Sequence, residues 1–467
     1  MNDVLSRSKR TTINRLTGAA RGATIAPLQS KTAMKTSFSR RTFLKHACRG
    51  AVAAPFIFRA SRAGAAPANE RITMACIGVG NQGGGNTRMF LGDPRVQIVA
   101  SCDVDLARAK AMAATIEDRY AKQTGASSYK GCAITQDFRE LIARRDIDTV
   151  MIGTPDHTHA VIAIAAARVG KDIYCEKPLA YSVAEGRAIV ETVKRHGRVL
   201  QTGTQRRSVQ TFRNACELVR NDRIGKLHTV RCIPGRGFGV RGGFTGLEAP
   251  QPVPPDFNYD LWLGPAPWMP YTAARCHFNF RWILDYGEGY ISDNGVHAVD
   301  LATWGMGVDL TGPEHIDGKG TFPTDGIYDA PTEFEITCSY ANGMKLVLAS
   351  GDAFGVRFEG SEGWLHMSGW DVTASSGEIL ASTIRPGDVR VRTGSLHHAD
   401  FIDCVLSRRQ PATHAELGQR AASVCHLAFI SCRLGRPLKW DPAREIFPDD
   451  PAANRLLSRA MRTGWGI

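Results

Sequence analysis

A buried strand that leads into three spaced glycines constrains this chain more than any other feature. Residues 71–77 are mostly apolar, the pattern Gly78-x-Gly80-x-x-Gly83 follows at once, and residues 86–91 can begin a helix. The first glycine permits a tight turn, the second lets backbone N–H groups approach a phosphate, and the third lets the helix pack closely on the strand. The pattern predicts a turn that binds the pyrophosphate of a dinucleotide.

An acidic residue at the end of the next strand strengthens this prediction. Gly84 and Gly85 weaken the helix start, so a glycine-rich loop without a ligand is the alternative. The second strand, residues 96–102, ends at Asp103, where a carboxylate can accept hydrogen bonds from ribose hydroxyls. Because this carboxylate would repel a 2′-phosphate, the sequence favours NAD over NADP, although Arg108 argues the other way.

Helices and strands then alternate. Helices are predicted over residues 106–120, 137–145 and 160–169, and strands over residues 149–153 and 172–175. This order is typical of an α/β fold with a doubly wound parallel sheet, the Rossmann arrangement.

The positive charge of the chain lies almost entirely in its first segment. The net charge is +13, and residues 1–65 hold thirteen Lys and Arg against one acidic residue. The remainder is close to neutral and has no basic stripe, so we expect no nucleic-acid partner.

This first segment resembles a twin-arginine export signal. Residues 39–45 read Ser-Arg-Arg-Thr-Phe-Leu-Lys, and an apolar stretch and a run of small residues follow, at residues 51–58 and 63–68. We therefore expect a signal and disordered N-terminus over residues 1–68, with Met1 or Met34 as the start. The twin-arginine translocase is the expected partner during export, the mature protein is expected to be periplasmic or otherwise extracytoplasmic, and a disordered basic tail is the alternative.

Neither a membrane anchor nor a metal site is predicted for the mature chain. After the signal no run approaches the roughly 18 to 20 apolar residues of a spanning helix. The twelve cysteines include no Cys-x-x-Cys pair, so the sequence indicates neither a zinc site nor a disulfide framework.

Motifs at the carboxyl ends of two strands carry a family resemblance. The matching segments are residues 154–159 (Thr-Pro-Asp-His-Thr-His), 176–180 (Glu-Lys-Pro-Leu-Ala), 201–205, 286–289 and Asp293-x-x-x-His297-x-x-Asp300. With these motifs the chain resembles the Gfo/Idh/MocA family of glucose-fructose oxidoreductases and inositol dehydrogenases, from about residue 71 to residue 466.

The resemblance implies a fold, an activity and a partner. It implies a nucleotide domain, residues 69–205, and a substrate-binding and oligomerisation α+β domain, residues 206–467, built on a large open, mainly antiparallel sheet. It also implies an NAD-dependent oxidoreductase that acts on a secondary hydroxyl of a sugar, a polyol or a related compound, in a homodimer or homotetramer.

The resemblance also implies the site residues. The catalytic residues are Lys177, Asp293 and His297. The cofactor-binding residues are Gly78, Gly80, Asn81, Gln82, Gly83, Asp103, Thr154, Pro155, His157, His159, Glu176, Lys177 and Gln205. The substrate-binding residues are Lys177, Arg281, Tyr286, Asp293 and His297.

The chemistry of the three catalytic residues suits alcohol oxidation. A histidine with a pKa near 6.5 can take the hydroxyl proton, and a lysine can stabilise negative charge on the substrate oxygen. The spacing of Asp293, His297 and Asp300 predicts one helix face, so Asp293 can orient the imidazole or hold a sugar hydroxyl. A structural role is the alternative for each, and for Asp300 it is favoured.

In the second domain, aromatic residues are concentrated between residues 262 and 290, where they either stack on a sugar or form core and subunit contacts. Arg275, His277 and Arg281 are candidate ligands for hydroxyls or a carboxylate. Strands are predicted over residues 334–339, 345–349 and 364–367, and helices over residues 401–405 and 420–434.

Two other functions fit the sequence. One is an NAD-dependent, redox-neutral glycosidase or lyase of the same family, and the other is a non-catalytic sugar-binding protein. The export signal adds a further expectation, because free NAD should be scarce outside the cytoplasm: the cofactor is loaded before export and then tightly retained.

Overall fold

The computed structural model describes residues 71–392, 394 and 396–467. The predicted export signal lies outside the described residues. None of the described helices has both the length and the apolar character needed to cross a membrane.

Six parallel strands form the first sheet. Their order in the sheet is β3-β2-β1-β4-β5-β6. The strands are β1 (Ile72–Ile77), β2 (Val96–Cys102), β3 (Ala133–Thr135), β4 (Thr149–Ile152), β5 (Asp172–Cys175) and β6 (Leu200–Thr202). The order reverses direction at β1 and β4, which is the arrangement that opens a ligand crevice at the carboxyl ends of the strands.

Helices cover both faces of this sheet. They are α1 (Asn81–Leu91), α2 (Leu106–Thr124), α3 (Phe138–Ala143), α4 (His159–Arg168) and α5 (Val183–Arg195). Apolar residues of α3, α4 and α5 pack on one face, and those of α1 and α2 pack on the other. The predicted doubly wound Rossmann fold is therefore confirmed.

Eight strands form the second sheet, which is antiparallel except for the pair β7 and β10. Its order is β13-β12-β11-β7-β10-β9-β8-β14. The strands are β7 (Leu227–Ile233), β8 (His315–Thr321), β9 (Glu333–Ser339), β10 (Lys345–Ala349), β11 (Gly355–Gly360), β12 (Trp364–Ser368), β13 (Asp371–Ala374) and β14 (Leu438–Lys439). The predicted mainly antiparallel sheet is confirmed.

The remaining helices are α6 (Gln210–Arg220), α7 (Tyr259–Leu263), α8 (Gly295–Met306), α9 (Gly377–Ala381), α10 (His397–Ser407), α11 (Ala415–Leu434) and α12 (Pro451–Asn454). Buried residues of α6, α8 and α11 form one core with the second sheet. In contrast, α10 packs on the nucleotide domain, where Phe401 lies 5.8 Å from Phe90 of α1 between ring centroids.

Several helix boundaries differ from their predictions, and one of them lies at the glycine turn. Helix α1 begins at Asn81, immediately after the second glycine, and not near Asn86. The third glycine is therefore inside the helix, where a Cβ at Gly83 would overlap the carbonyl oxygen of Gly78. Close packing of the helix on the turn, and not helix propensity, sets this boundary.

Candidate active site

A cleft lies between the carboxyl ends of the parallel strands and the second domain. Its empty volume is ≈ 1050 Å³, open mouth included, at the upper end of the roughly 300–1,000 Å³ of small-molecule sites. Nine of the predicted cofactor residues line it: Gly78, Gly80, Asn81, Gln82, Asp103, Thr154, Pro155, Glu176 and Lys177. The other lining residues include Leu261, Trp262, His277, Phe280, Arg281 and Trp465.

The glycine turn gives the cleft a surface made of main chain. Gly78 has a φ of +76°, and a Cβ there would lie 2.6 Å from the Thr154 nitrogen. Gly80 caps α1 without any side-chain hydrogen bond, so the first N–H groups of an 11-residue helix are left for a ligand. This geometry fits an anionic pyrophosphate, which gains both the hydrogen bonds and the positive end of the helix dipole.

Asp103 is fixed beside this turn by two backbone amides. Its Oδ2 accepts from the Val79 N–H and its Oδ1 accepts from the Asp105 N–H, each at 3.0 Å. Burial raises the pKa of this carboxyl group, although both amides and Arg108 oppose the rise. The carboxylate thus lies at the end of β2 with a fixed orientation toward the cleft.

At the other end of the cleft, Lys177 and Arg281 share one carboxylate. Lys177 Nζ donates to Oδ1 and to the main-chain oxygen of Asp293, both at 2.7 Å. Arg281 Nε donates to the same Oδ1 at 3.1 Å and stacks over Phe278 and Phe280. Burial alone would raise the pKa of Asp293, but the two cations reverse this and hold it well below its usual range.

His297 is close to this cluster but is not bonded to it. It lies in the first turn of α8, whereas Asp293 precedes that helix, so the expected single helix face does not form. Its Nδ1 is buried without a hydrogen-bond partner among the described residues, and Asp293 does not orient it. Burial, reinforced by Lys177, lowers the pKa of His297 well below 6.5.

Asp300 has a structural partner. Arg207 Nε donates to Asp300 Oδ2 at 2.9 Å, and the two side chains are 2% and 1% exposed. The surroundings of Asp300 are therefore those of a structural residue, because its carboxylate is used in a buried ion pair with Arg207.

Several expected site residues do not line the cleft. His157 Nε2 bonds to the Trp262 oxygen at 2.9 Å, and the ring nitrogens of His159 lie 2.8 and 2.9 Å from the oxygens of Pro178 and Thr154. Both histidines are fully buried, and burial lowers the pKa of His157 to about 3 and that of His159 to about 4. These contacts fix the loops after β4 and β5.

Tyr286 is also fully buried, 4.8 Å from Trp262 between ring centroids, so the structure does not present it to a substrate. Gln205, Gly83, Asp293 and His297 are not among the lining residues either, although Asp293 is bonded to the lining residues Lys177 and Arg281. Gln205 Nε2 donates to Glu176 Oε1 at 3.1 Å, so Gln205 helps to hold the side chain of a lining residue in place.

Asp156 is a lining residue that sequence reasoning did not assign. It is 4% exposed, and burial, then the charge of Asp293, raises its pKa to about 7. Its position in the motif 154–159, at the carboxyl end of a strand, could have indicated that it lies at the site. No metal cluster accompanies these carboxylates: within the described part of the chain, no three His, Cys, Asp or Glu side chains converge on a common point.

A Rossmann sheet with an open glycine turn, an acid at the end of β2 and a lysine at the interdomain cleft defines the class of nicotinamide-dependent two-domain oxidoreductases. Two family models match the chain. One describes an oxidoreductase family's NAD-binding Rossmann fold and matches residues 72–204, and the other describes that family's C-terminal alpha/beta domain and matches residues 209–467. The chain belongs to the Gfo/Idh/MocA oxidoreductase family.

Curated and solved relatives are similar over different lengths. The uncharacterised oxidoreductase YrbE of Bacillus subtilis is 24% identical over 71% of this chain and 79% of its own length. Myo-inositol 2-dehydrogenase of Thermotoga maritima is 31% identical, over 27% of this chain and 33% of its own length. The aldose-aldose oxidoreductase of Caulobacter crescentus, solved with glycerol, has 18% identity and a TM-score of 0.57, over 79% of this chain and 99% of its own; this similarity shows a shared fold.

Proposed function

We propose that this oxidoreductase acts on a secondary hydroxyl of a sugar, polyol or sugar derivative, with NAD as its cofactor. The observation that carries the proposal is the Lys177 ammonium, held in the cleft at two points by Asp293. The names of the inositol dehydrogenase and the aldose-aldose oxidoreductase support a carbohydrate substrate.

Lys177 is the proposed ligand of the substrate oxygen. An ammonium group has three N–H donors, and Asp293 accepts two of them. Among the described residues Nζ has no third acceptor, so one donor can point to a substrate hydroxyl in the cleft. As that hydroxyl loses its proton, the ammonium stabilises the negative charge on oxygen.

His297 is the proposed proton acceptor. Because its pKa is well below 6.5, the imidazole is neutral at physiological pH, and its unpartnered Nδ1 or its Nε2 can take up a proton. Lys177 disfavours the protonated form, so we expect the imidazole to pass its proton onward and not to keep it. When bound, NAD supplies the acceptor for the hydride that leaves the substrate carbon.

Asp103 supports NAD over NADP. Its carboxylate is fixed at the end of β2, where it can accept hydrogen bonds from ribose hydroxyls and repel a phosphate at the same position. The main-chain N–H groups after Gly80 would hold the pyrophosphate, and Thr154, Pro155, Glu176 and Lys177 would surround the nicotinamide end.

We also propose that the protein is exported folded, by the twin-arginine route, with NAD retained. The eleven cysteines of the described chain are all unpaired and buried. Such thiols are compatible with folding in a reducing compartment before transfer to an oxidising one. A retained cofactor favours a two-substrate oxidoreductase, an epimerase or an oxidise-then-eliminate lyase over net dehydrogenation.

The experiment is to screen sugars, inositols and sugar acids, identify products by mass spectrometry, and then test Lys177→Met. We expect turnover to fall about 10²–10³-fold, as for loss of one donor to a developing oxyanion, with NAD affinity nearly unchanged. Lys122→Met is the matched control, because Lys122 is 73% exposed on α2. Near-normal turnover of the Lys177 variant would show that this lysine does not carry the reaction.

A further inference from the structure

The last residues of the chain return to the nucleotide domain. Arg459 Nε donates to Glu185 Oε1 on α5 at 2.7 Å, and Arg459 NH2 donates to the His157 carbonyl oxygen at 2.6 Å. The Arg459 side chain is 13% exposed and lies over the Tyr181 ring. This anchor fixes the segment 459–465, here called the C-terminal tail, beside the loop that follows β4.

A second anchor ties the tail to the other wall of the cleft. Arg462 Nε donates to the Gly264 oxygen at 2.8 Å, and Arg462 NH1 donates to Asp260 Oδ1 at 2.7 Å. The Arg462 backbone N–H also donates to the Pro265 oxygen at 3.0 Å. The tail therefore bridges the segment 260–265 and the nucleotide domain. The five hydrogen bonds named above fix its course.

These anchors place Trp465 in the wall of the cleft. Its ring lies 6.3 Å from that of Phe138 between centroids, and the Arg139 guanidinium lies 5.8 Å from its centroid. Trp465 and Phe138 both line the cleft, and both also pack on the apolar cluster that includes α4. Phe138 follows β3, the strand next to β2, at whose end Asp103 lies.

The order of the strands in the sheet shows at which end of the cleft Trp465 and Phe138 lie. Four strand spacings separate β3 from β5, the strand that Lys177 follows, and each spacing is about 4.8 Å, which gives about 19 Å in total. Trp465 thus belongs to the Asp103 end of the cleft and not to the Lys177 end. With Asp103 holding a ribose, the next group outward on that side is the adenine ring.

We propose that the C-terminal tail is part of the dinucleotide site, that Trp465 and Phe138 form an aromatic wall on which the adenine stacks, and that the tail slows cofactor release. This inference rests on the proposed function and extends it. A flat purine gains stacking and apolar contact from an indole, and a tail anchored across both walls must be displaced before the adenine end can leave.

The test measures nucleotide binding directly. Equilibrium dialysis with NAD, ADP-ribose and nicotinamide mononucleotide would compare the wild type with Trp465→Ala, Trp465→Phe and Trp268→Ala. Trp268 is the matched control because it is 66% exposed and does not line the cleft. Displacement of bound NAD by excess unlabelled NAD would give the release rate, and melting curves would confirm that each variant is folded.

We expect Trp465→Ala to weaken NAD and ADP-ribose binding about 10-fold and to accelerate NAD release by a similar factor. Binding of nicotinamide mononucleotide should not change, Trp465→Phe should retain most of the affinity, and Trp268→Ala should resemble the wild type. Arg462→Met, which removes an anchor while keeping the indole, should also accelerate release.

Three results would overturn the inference, and they are distinguishable. If the wild type binds NAD but Trp465→Ala binds and releases it as the wild type does, the tail has no part in the site and the proposed function stands. If the wild type binds no NAD or ADP-ribose, the proposed function fails and the inference fails with it. Equal loss of affinity for all three ligands would also refute the assignment of Trp465 to the adenine end of the site.

Discussion

The guanidinium of Arg207 and the carboxylate of Asp300 form an ion pair that is almost fully excluded from solvent, with Nε 2.9 Å from Oδ2. Arg207 also donates to Asp309 Oδ2 at 2.8 Å. One buried cation thus compensates two carboxylates on and beside α8, the helix that carries His297.

Removal of that cation should destabilise the protein strongly. Arg207→Met leaves a buried carboxylate unpaired, which costs about 3–5 kcal/mol. We expect a clear fall in the thermal midpoint, measured by differential scanning calorimetry. Lys122→Met breaks an exposed pair on α2 and should change stability by about 0.5 kcal/mol or less; equal effects of the two variants would contradict this assignment.

Asp156 should impose a pH dependence on the reaction. With its pKa raised to about 7, this carboxyl group loses its proton as the pH rises through neutrality and adds a negative charge near Lys177 and Arg281. The deprotonated carboxylate can receive the proton that His297 passes onward, so kcat/KM for oxidation should rise through pH 7. Asp156→Asn should remove this step and lower the rate at pH 8 about 10-fold; an unchanged pH profile would exclude the role.

Buried neutral histidines should make the fold sensitive to acid. The pKa values of His157 and His159 are lowered to about 3 and about 4, whereas an unfolded histidine titrates near 6.5. Between these values the unfolded state binds more protons, so stability is lost as the pH falls from 6.5 toward 4, by up to about 1.4 kcal/mol per pH unit for each histidine.

Melting curves from pH 7.5 to 4.5 would measure this dependence. His157→Gln should flatten the slope while lowering the thermal midpoint at neutral pH, because one hydrogen bond to Trp262 is altered. The exposed His228 gives the control, since His228→Gln should leave the slope as it is. If the thermal midpoint of the variant depends on pH as steeply as that of the wild type, His157 does not cause the acid sensitivity.

Removal of the charge of Asp103 should weaken the preference for NAD over NADP. Asp103→Asn keeps the shape of the side chain and one carbonyl acceptor, but it removes the repulsion of a 2′-phosphate. We expect NAD affinity to fall about 10-fold and NADP affinity to fall less or to improve, as measured by equilibrium dialysis. Asp118→Asn, on the exposed face of α2, is the control; an unaltered ratio of the two affinities would contradict the role of Asp103.

Protein purified from the periplasm should contain its cofactor. Denaturation should release close to one NAD per chain, because free NAD should be scarce there and the folded protein is expected to cross with its ligand bound. A variant with Arg40→Lys and Arg41→Lys should stay in the cytoplasm and be loaded equally. An empty periplasmic protein that exchanges NAD within seconds would refute retention.

The sequence predicted the parts of the site that depend on local patterns. The strand before Gly78 and the acid at Asp103 follow from apolar runs and glycine spacing, and these signals lie within about thirty residues of one another. The start of α1 was predicted too late because Gly83 is a poor helix former in isolation, whereas in the fold its missing Cβ is what allows the helix to pack on Gly78.

The rest of the site depends on contacts that no local pattern records. Motif position suggested that His157, His159 and Tyr286 face a ligand, but their polar atoms are used to bond loops together inside the protein. Trp465 is a single tryptophan between two glycines near the end of the chain, and only the tertiary fold brings it to Phe138.

The placement of α10 has a consequence for biosynthesis. Phe401 of this helix packs on Phe90 of α1 and on Tyr174 of β5, although nearly two hundred residues separate it from β6, the last strand of the first sheet. During synthesis, α10 cannot cover these aromatic side chains of the nucleotide domain until residues 397–407 have been made. The length of this interval is set by the speed of translation.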